Sequence, residues 1–423
     1  MKISDSNLAK PSSASRRLFG NPSRQLLLAL LARLRRGSLL LVEDDTEQLF
    51  GEARTHAAVQ ATIVVRDPAT FAMVLGGGSL GAGEAYMLGL WESPDLLQII
   101  RLFVLNMDLL SSIDRRRSWP RRAAARAFHA LRRNTLQGSR ANIAAHYDLS
   151  NDFFKLFLDP TMAYSAAIYT PQTQTLQQAS ENKFRHVCQR LQLKPGDHLL
   201  EIGTGWGGLA IHAARHHGCR VTTTTLSKEQ AAHARAWIAR EGLADRITVL
   251  EQDYRELQGQ YDKLVSIEMI EAVGAEYYAS YFRQVSGLLK PNGLALIQAI
   301  TISDQRYAAS LGNTDFIKRY IFPGGQLPSN AVIAGHLAND TDLQLVGLED
   351  ITLDYARTLR AWRDNFQAAL PEVRRLGFDE TFIRMWRFYL CFCEGGFMER
   401  VIHTAQFLMA KPDFRTLPHI RVE

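Results

Sequence analysis

The sequence predicts an α/β chain in which a doubly wound parallel sheet forms the larger, C-terminal part and a small α+β domain precedes it. Three observations carry this. The length of 423 residues makes two domains the natural number, and 46% hydrophobic residues suffice for two sizeable cores. The apolar run Leu199–Ile202 ends in Gly203-Thr204-Gly205-Trp206-Gly207-Gly208, and Leu209–Ala214 then reads as helix. From about residue 142 onward, strand-like and helix-like patterns alternate, as in βαβ units.

Residues 1–20 are polar and serine-rich, with no apolar core of signal-peptide length, and read as a flexible leader. Residues 21–114 read as the small α+β domain. Its first apolar run, Leu26–Leu34, is interrupted by Arg33, Arg35 and Arg36, well short of a bilayer span, so it reads as an amphipathic or buried helix. Residues 38–42 and 61–65 have strand character. Asp67-Pro68 marks a turn, 69–75 a helix, the glycine-rich 76–83 a loop and 96–110 a helix.

Residues 115–141 form a basic linker helix. Nine arginines fall between Arg115 and Arg140, with no acid between Asp114 and Asp148. Ala123, Phe128 and Leu131 interleave with them. Two readings stand: a cationic face lying on anionic lipid headgroups, or a solvated linker. No recognition motif accompanies the charge, so nucleic acid is not the expected partner. The net charge of +6 also points to an anionic surface.

The third part, 142–423, carries strands at 198–202, 219–225, 247–251, 263–267, 293–300, 343–350 and 403–410. Helices lie near 207–217, 228–241 and 277–290, with Lys290-Pro291-Asn292-Gly293 as the turn before the fifth strand. A long last connection suits an antiparallel final strand. Cys188, Cys219, Cys391 and Cys393 offer neither a disulfide framework nor zinc spacing, which suits a reducing cytoplasm. No metal is expected.

Ligands in such sheets bind beyond the carboxyl ends of the strands, where the glycine turn sits. Glycines 203, 205 and 208 satisfy a dinucleotide pattern, yet the next strand ends in threonines rather than in an acid for ribose hydroxyls. Glu201, just before the first glycine, can receive a cationic amino group. Glu-x-Gly-x-Gly-x-Gly resembles class I S-adenosylmethionine methyltransferases, which implies that cofactor.

Further segments carry a more specific resemblance. They are His146-Tyr147-Asp148-Leu149-Ser150-Asn151, Leu158-Asp159-Pro160-Thr161-Met162-Ala163-Tyr164-Ser165, Thr225-Leu226-Ser227, Glu268-Met269-Ile270-Glu271-Ala272-Val273-Gly274, Arg319-Tyr320-Ile321-Phe322-Pro323-Gly324-Gly325 and Cys393-Glu394-Gly395-Gly396-Phe397. In this order they resemble the cyclopropane-fatty-acyl-phospholipid synthases, with Asp315-Phe316-Ile317-Lys318 similar to the plant and proteobacterial branch. Gly83-Glu84-Ala85-Tyr86-Met87 with Trp91-Glu92 resembles that family's N-terminal lipid-associated domain.

The resemblance implies a class I methyltransferase sheet of seven strands. It also implies a homodimer peripheral to the inner face of the membrane, and transfer of a methylene from S-adenosylmethionine to a cis double bond of an unsaturated phospholipid. Such chemistry needs a dry site, a stabilised carbocation and a base. Glu271 is the expected acidic residue and Tyr320 the active-site tyrosine. Cys393 precedes the family's Gly-x-Phe. Tyr164 and Ser165 match the pair that closes over the cofactor. Glu201, Gly203 and Gly205 face its methionine end, Thr225, Leu226 and Gln230 replace the missing ribose acid, and Asp253 and Tyr254 fall where adenine is held. His146 belongs to a cofactor lid and is no metal ligand.

Members of the family hold a bicarbonate ion as proton acceptor, using His-x-Ile on the fifth strand with the glutamate and the tyrosine. Here that run is Gln298-Ala299-Ile300. Gln298 can hydrogen-bond and Ile300 can offer its backbone, but glutamine carries no positive charge, so anion binding is expected to weaken. Ala166 replaces a cysteine and Ala272 a histidine. Glu268 becomes a replacement base if it faces the pocket, and the product is a ring or a methyl- or methylene-branched chain. Two other functions compete: methyl transfer to another small hydrophobic molecule, and lipid binding or cofactor sensing without catalysis.

Overall fold

A computed structural model describes residues 21–52, 59–109, 149–173, 175–312 and 314–415. The leader, the whole basic linker, and His146, Tyr147 and Asp148 lie outside the described residues. The chain divides into two compact units. The first gathers the residues before the linker with Gly312–Ile321 and Trp362–Val401; the second holds the remainder, including Phe322–Ala361 and Ile402 onward. Residues 142–423, expected as one domain, are thus shared between the units. Sequence pattern reports local structure, whereas membership of a core is decided by long-range packing.

In the first unit β1 (Gly37–Glu43), β2 (Thr46–Glu52), β3 (Gln60–Val65) and β4 (Trp91–Glu92) form a sheet in the order β2-β1-β3-β4. β1 runs antiparallel to β2 and parallel to β3. Helices Pro22–Leu31, Ala69–Met87 and Leu96–Leu105 belong to this unit. The expected loop at 76–83 is instead helical on both sides of a kink at Gly78, whose φ is 63°. The kink folds the segment so tightly that a Cβ on Gly81 would lie 2.1 Å from the Met73 carbonyl oxygen. Glycine's propensity cost is overridden by this close packing. Helix Glu380–Met398 belongs here too, with Phe388 and Phe316 against Gly83.

The second unit is built on seven strands in the order β10-β11-β9-β8-β5-β6-β7: β5 (His198–Ile202), β6 (Arg220–Thr224), β7 (Ile247–Leu250), β8 (Tyr261–Ile267), β9 (Leu289–Ile302), β10 (Gln344–Asp350) and β11 (Ile402–Ala410). The pairs β9–β8, β8–β5, β5–β6 and β6–β7 are parallel; β11 is antiparallel to both β9 and β10, as expected for the last strand. The turn expected at Lys290–Gly293 lies within β9, as a register shift against β8. Apolar residues fill both faces, as buried parallel strands require. Leu199, Val265, Leu294 and Leu296 enter one core, and Leu200, Leu264, Ala295 and Ile297 the other. Helix Gly208–His217 packs Leu209, Ala210, Ala213 and Ala214 onto the first of these.

No helix among the described residues is long and apolar enough to cross a membrane.

Candidate active site

β5 delivers the chain into the glycine turn. Gly203 takes a φ of 101°, which favours glycine, and the N–H groups of Gly203 and Thr204 both donate to the Thr224 carbonyl, at 3.1 and 3.0 Å. At Gly205 an added Cβ would meet no atom within 4 Å, so the backbone there borders open space. That space belongs to a cavity of roughly 200 Å³. Tyr164, Ser165, Glu201, Gly203 and Gly205 line it, and so do Thr225, Leu226, Gln230 and Tyr254. Nine of the ten expected cofactor residues therefore surround one cavity. Asp253 does not line it: its buried carboxylate accepts from Arg255 Nε and Nη2, both at 2.8 Å.

The donor chemistry suits S-adenosylmethionine. Glu201 is 3% exposed and accepts from Thr223 Oγ1 at 2.6 Å. Burial pushes its carboxyl up to about 8, with Lys183 pulling the other way. A cationic amino group arriving at such a carboxylate finds little competing water. Thr225 Oγ1 donates to Gln230 Oε1 at 2.9 Å, which fixes the segment expected in place of a ribose acid. Phe154 and Phe157 pack on the Tyr164 ring at 5.3 and 6.2 Å.

Beyond the end of β8 stand two carboxylates. Glu268 has a φ of 48°, unusual for a residue with a side chain, and this conformation turns it into the cavity lining. Its Oε1 accepts from the Ala166 N–H and from Gln298 Nε2, each at 2.8 Å, and its Oε2 accepts from the Tyr355 hydroxyl at 2.7 Å. Burial raises its pKa against these three donors. Gln298, fully buried, is itself held by Gln406 Nε2 at 3.0 Å, its cross-strand partner on β11.

Glu271 sits in a short 3₁₀ turn, Ile270–Ala272. Its Oε1 accepts from the Ile300 N–H, while its Oε2 is buried with no hydrogen-bond partner among the described residues. Burial, followed by repulsion from Glu268, pushes its carboxyl up to about 8.

Tyr320 and Cys393 lie in the first unit. Tyr320 occupies a π-helical turn, Ile317–Ile321, and its hydroxyl donates to Glu84 Oε1 at 2.9 Å. Burial raises its pKa, and so does the neighbouring Glu84 charge. Cys393 lies within helix Glu380–Met398, where burial pushes its thiol up and keeps it protonated.

Two site residues escaped the sequence. Lys183 is 1% exposed and donates to Ser165 Oγ at 2.6 Å. Burial lowers its pKa to about 8, against the attraction of Glu268, Asp159 and Glu201. Its signal was available: Ala179, Ser180, Phe184, Val187 and Cys188 form a buried stripe at helical spacing, and Lys183 lies in the middle of it. Tyr355 had no local signal, since a long-range contact brings it to Glu268. One trio among the described residues, Cys188, His212 and His217, places potential ligand atoms within 4.8 Å of one another. Burial and the cations Arg185 and Arg215 help push His212 down to about 4, surroundings that disfavour a further cation.

Residues 134–407 match the model of the mycolic acid cyclopropane synthetase family. The chain is 38% identical to the cyclopropane-fatty-acyl-phospholipid synthase of Escherichia coli K12, over 84% of this chain and 89% of that one. It is also 38% identical to the tuberculostearic acid methyltransferase UfaA1 of Mycobacterium tuberculosis, over 79% of each. Among solved structures, the mycolic acid cyclopropane synthase CmaA1 complexed with SAH and CTAB superposes with a TM-score of 0.61 at 32% identity, covering 64% of this chain and 98% of that one.

Proposed function

The chain belongs to the mycolic acid cyclopropane synthetase family of S-adenosylmethionine-dependent methyltransferases, and we propose that it alkylates a cis double bond in an unsaturated phospholipid acyl chain, forming a cyclopropane. The observation that carries this is a buried, partnerless carboxylate oxygen on Glu271, three residues from a glutamate that lines the cofactor cavity. Ordinary methyl transfer to oxygen or nitrogen requires no second buried carboxylate. A reaction that makes a cation in a dry site and then removes a proton does.

When bound, S-adenosylmethionine supplies an electrophilic sulfonium methyl, which the alkene attacks. Glu201, lining the cavity, would hold the cofactor's amino group. Glu268 and Glu271 place negative charge where the carbocation develops, and the walls exclude water that would quench it. The first unit encloses an almost wholly apolar cavity of roughly 110 Å³ lined by Leu27, Leu41, Val65, Phe71, Trp91 and Phe392. That lining supports an acyl-chain substrate. The net charge of +6 supports a site of action on an anionic membrane surface.

The test is to incubate the purified protein with S-adenosylmethionine and vesicles of mixed monounsaturated and diunsaturated phospholipids, then analyse the released acyl chains by gas chromatography and mass spectrometry. A ring product one CH₂ heavier supports the proposal. A methyl- or methylene-branched product keeps the lipid substrate and changes the fate of the cation. No product from any lipid refutes it in favour of another hydrophobic substrate.

A further inference from the structure

Bicarbonate does not fit this site. The groups of the second unit that would hold it are Gln298, the Ile300 N–H and Glu271, together with the Ala166 N–H. Every donor in that set is already spent within the chain, the second Gln298 Nε2 hydrogen on the Ala166 carbonyl at 3.3 Å. The Ala166 N–H and Gln298 Nε2 both donate to Glu268 Oε1. The Ile300 N–H donates to Glu271 Oε1. Gln298 Oε1 is committed to Gln406. A free oxyanion would find no unspent N–H among these, no cation at position 298, and two acids beside it.

We propose that this enzyme carries its own anion: the Glu268 carboxylate fills the oxyanion position, Glu271 Oε2 accepts the proton, and turnover needs no bicarbonate. The inference rests on the lipid-alkylating function proposed above.

The two acids have different work because their bonding differs. Glu268 is saturated by three donors and pinned by its left-handed backbone, so it is a positioning residue, a fixed negative charge beside the reaction. Glu271 keeps one oxygen without a partner, the property a proton acceptor requires. At ring closure a C–H bond of the newly added methyl breaks, its electron pair forms the second C–C bond, and the proton goes to Glu271 Oε2. No external acceptor enters the balance. Lys183, buried and attracted to Glu268, supplies the compensating positive charge.

The experiment compares the full-length enzyme in buffer stripped of carbon dioxide with the same buffer containing millimolar bicarbonate. Turnover on unsaturated vesicles is followed by the thioether product and the acyl chains. Binding of ¹³C-bicarbonate to the enzyme is followed separately by NMR. The expected wild-type result is the same rate in both buffers and no bound bicarbonate. Glu268→Gly vacates the oxyanion position. It should lose roughly 100-fold or more in turnover, the scale of a removed acid–base partner, then bind bicarbonate and recover activity with it. Glu268→Gln, which keeps the space filled, should stay slow whatever is added. The proposal is overturned if the wild type slows in stripped buffer and bicarbonate restores it, or if the wild type binds bicarbonate. It is equally overturned if folded Glu268→Gly, with unchanged cofactor affinity, ignores the anion. The NMR measurement decides the anion question even if no lipid is alkylated, so that failure is charged to the substrate alone.

Discussion

Above about pH 8, where Glu271 is ionised, Glu271→Gln removes one charge and almost nothing else. The amide carbonyl can keep the Ile300 N–H bond, and the NH₂ group takes the place of an oxygen that had no partner. What is lost is a proton acceptor. General-base catalysis contributes about 10²–10⁴-fold, so at about 1.36 kcal/mol per tenfold the barrier should rise by roughly 3–5 kcal/mol. The assay is the initial rate of thioether formation with unsaturated vesicles, paired with cofactor titration by calorimetry and with thermal melts at several pH values. Cofactor affinity should not change, because Glu201 and the glycine turn are untouched.

Stability supplies a second, independent sign. The folded-state pKa of Glu271 is raised from 4.5 to about 8 by burial and by Glu268. Between those values the unfolded chain has released its proton and the folded chain has not, so this group's contribution to stability falls as pH rises. Neutral glutamine lacks that penalty, so the variant should gain on the wild type as pH rises from 4.5 to 8. For the same reason the wild-type rate should climb toward pH 8 as Glu271 ionises, with Glu268 the charged neighbour that tunes it. A Glu271→Gln enzyme keeping more than about a tenth of the wild-type rate would refute the assignment of the base.

Three other outcomes follow from the geometry. Glu201→Gln should weaken S-adenosylmethionine binding by roughly 10–100-fold, the value of a charged hydrogen bond of about 1.5–3 kcal/mol, measured by calorimetry. Gly208→Ala places a Cβ 2.7 Å from the Thr161 carbonyl oxygen and 3.2 Å from the Phe184 ring; it should cost about 1–3 kcal/mol in urea unfolding, as overpacking does. Lys183→Met removes the buried cation that holds the Glu201 and Glu268 carboxyls down, so the pH above which S-adenosylmethionine binds tightly should move upward, measured by calorimetry. An unmoved pH profile would show that Lys183 serves packing alone.

Much of the second unit was legible in the residues. Strand β5 and its glycine turn follow from a run of apolar residues ending where only glycine reaches a φ of 101°. That the residues after β5, β6 and β7 meet at one cavity follows from βα connectivity, because short connections return each strand end to the same edge, whereas Tyr164 and Ser165 were expected from the resemblance alone. Asp253 shows the limit: Arg255, two residues on, takes its carboxylate, and it does not line the cavity. The same limit applies to the segment 76–83, where composition says loop and packing against Met73 says helix.

The sequence by itself determined the alternation of strands and helices, the cofactor and the presence of Glu268, Glu271 and Gln298, because these depend on local pattern and on residue identity. Only the tertiary structure decided what each acid does. Pairing of β9 with β11 sets Gln298 opposite Gln406, and distant Tyr355 and Ala166 supply the other donors that saturate Glu268. Glu271, three residues away, is left with a bare oxygen. Two acids alike in the sequence acquire different chemistry because hydrogen bonding and desolvation depend on what the folded chain brings beside them.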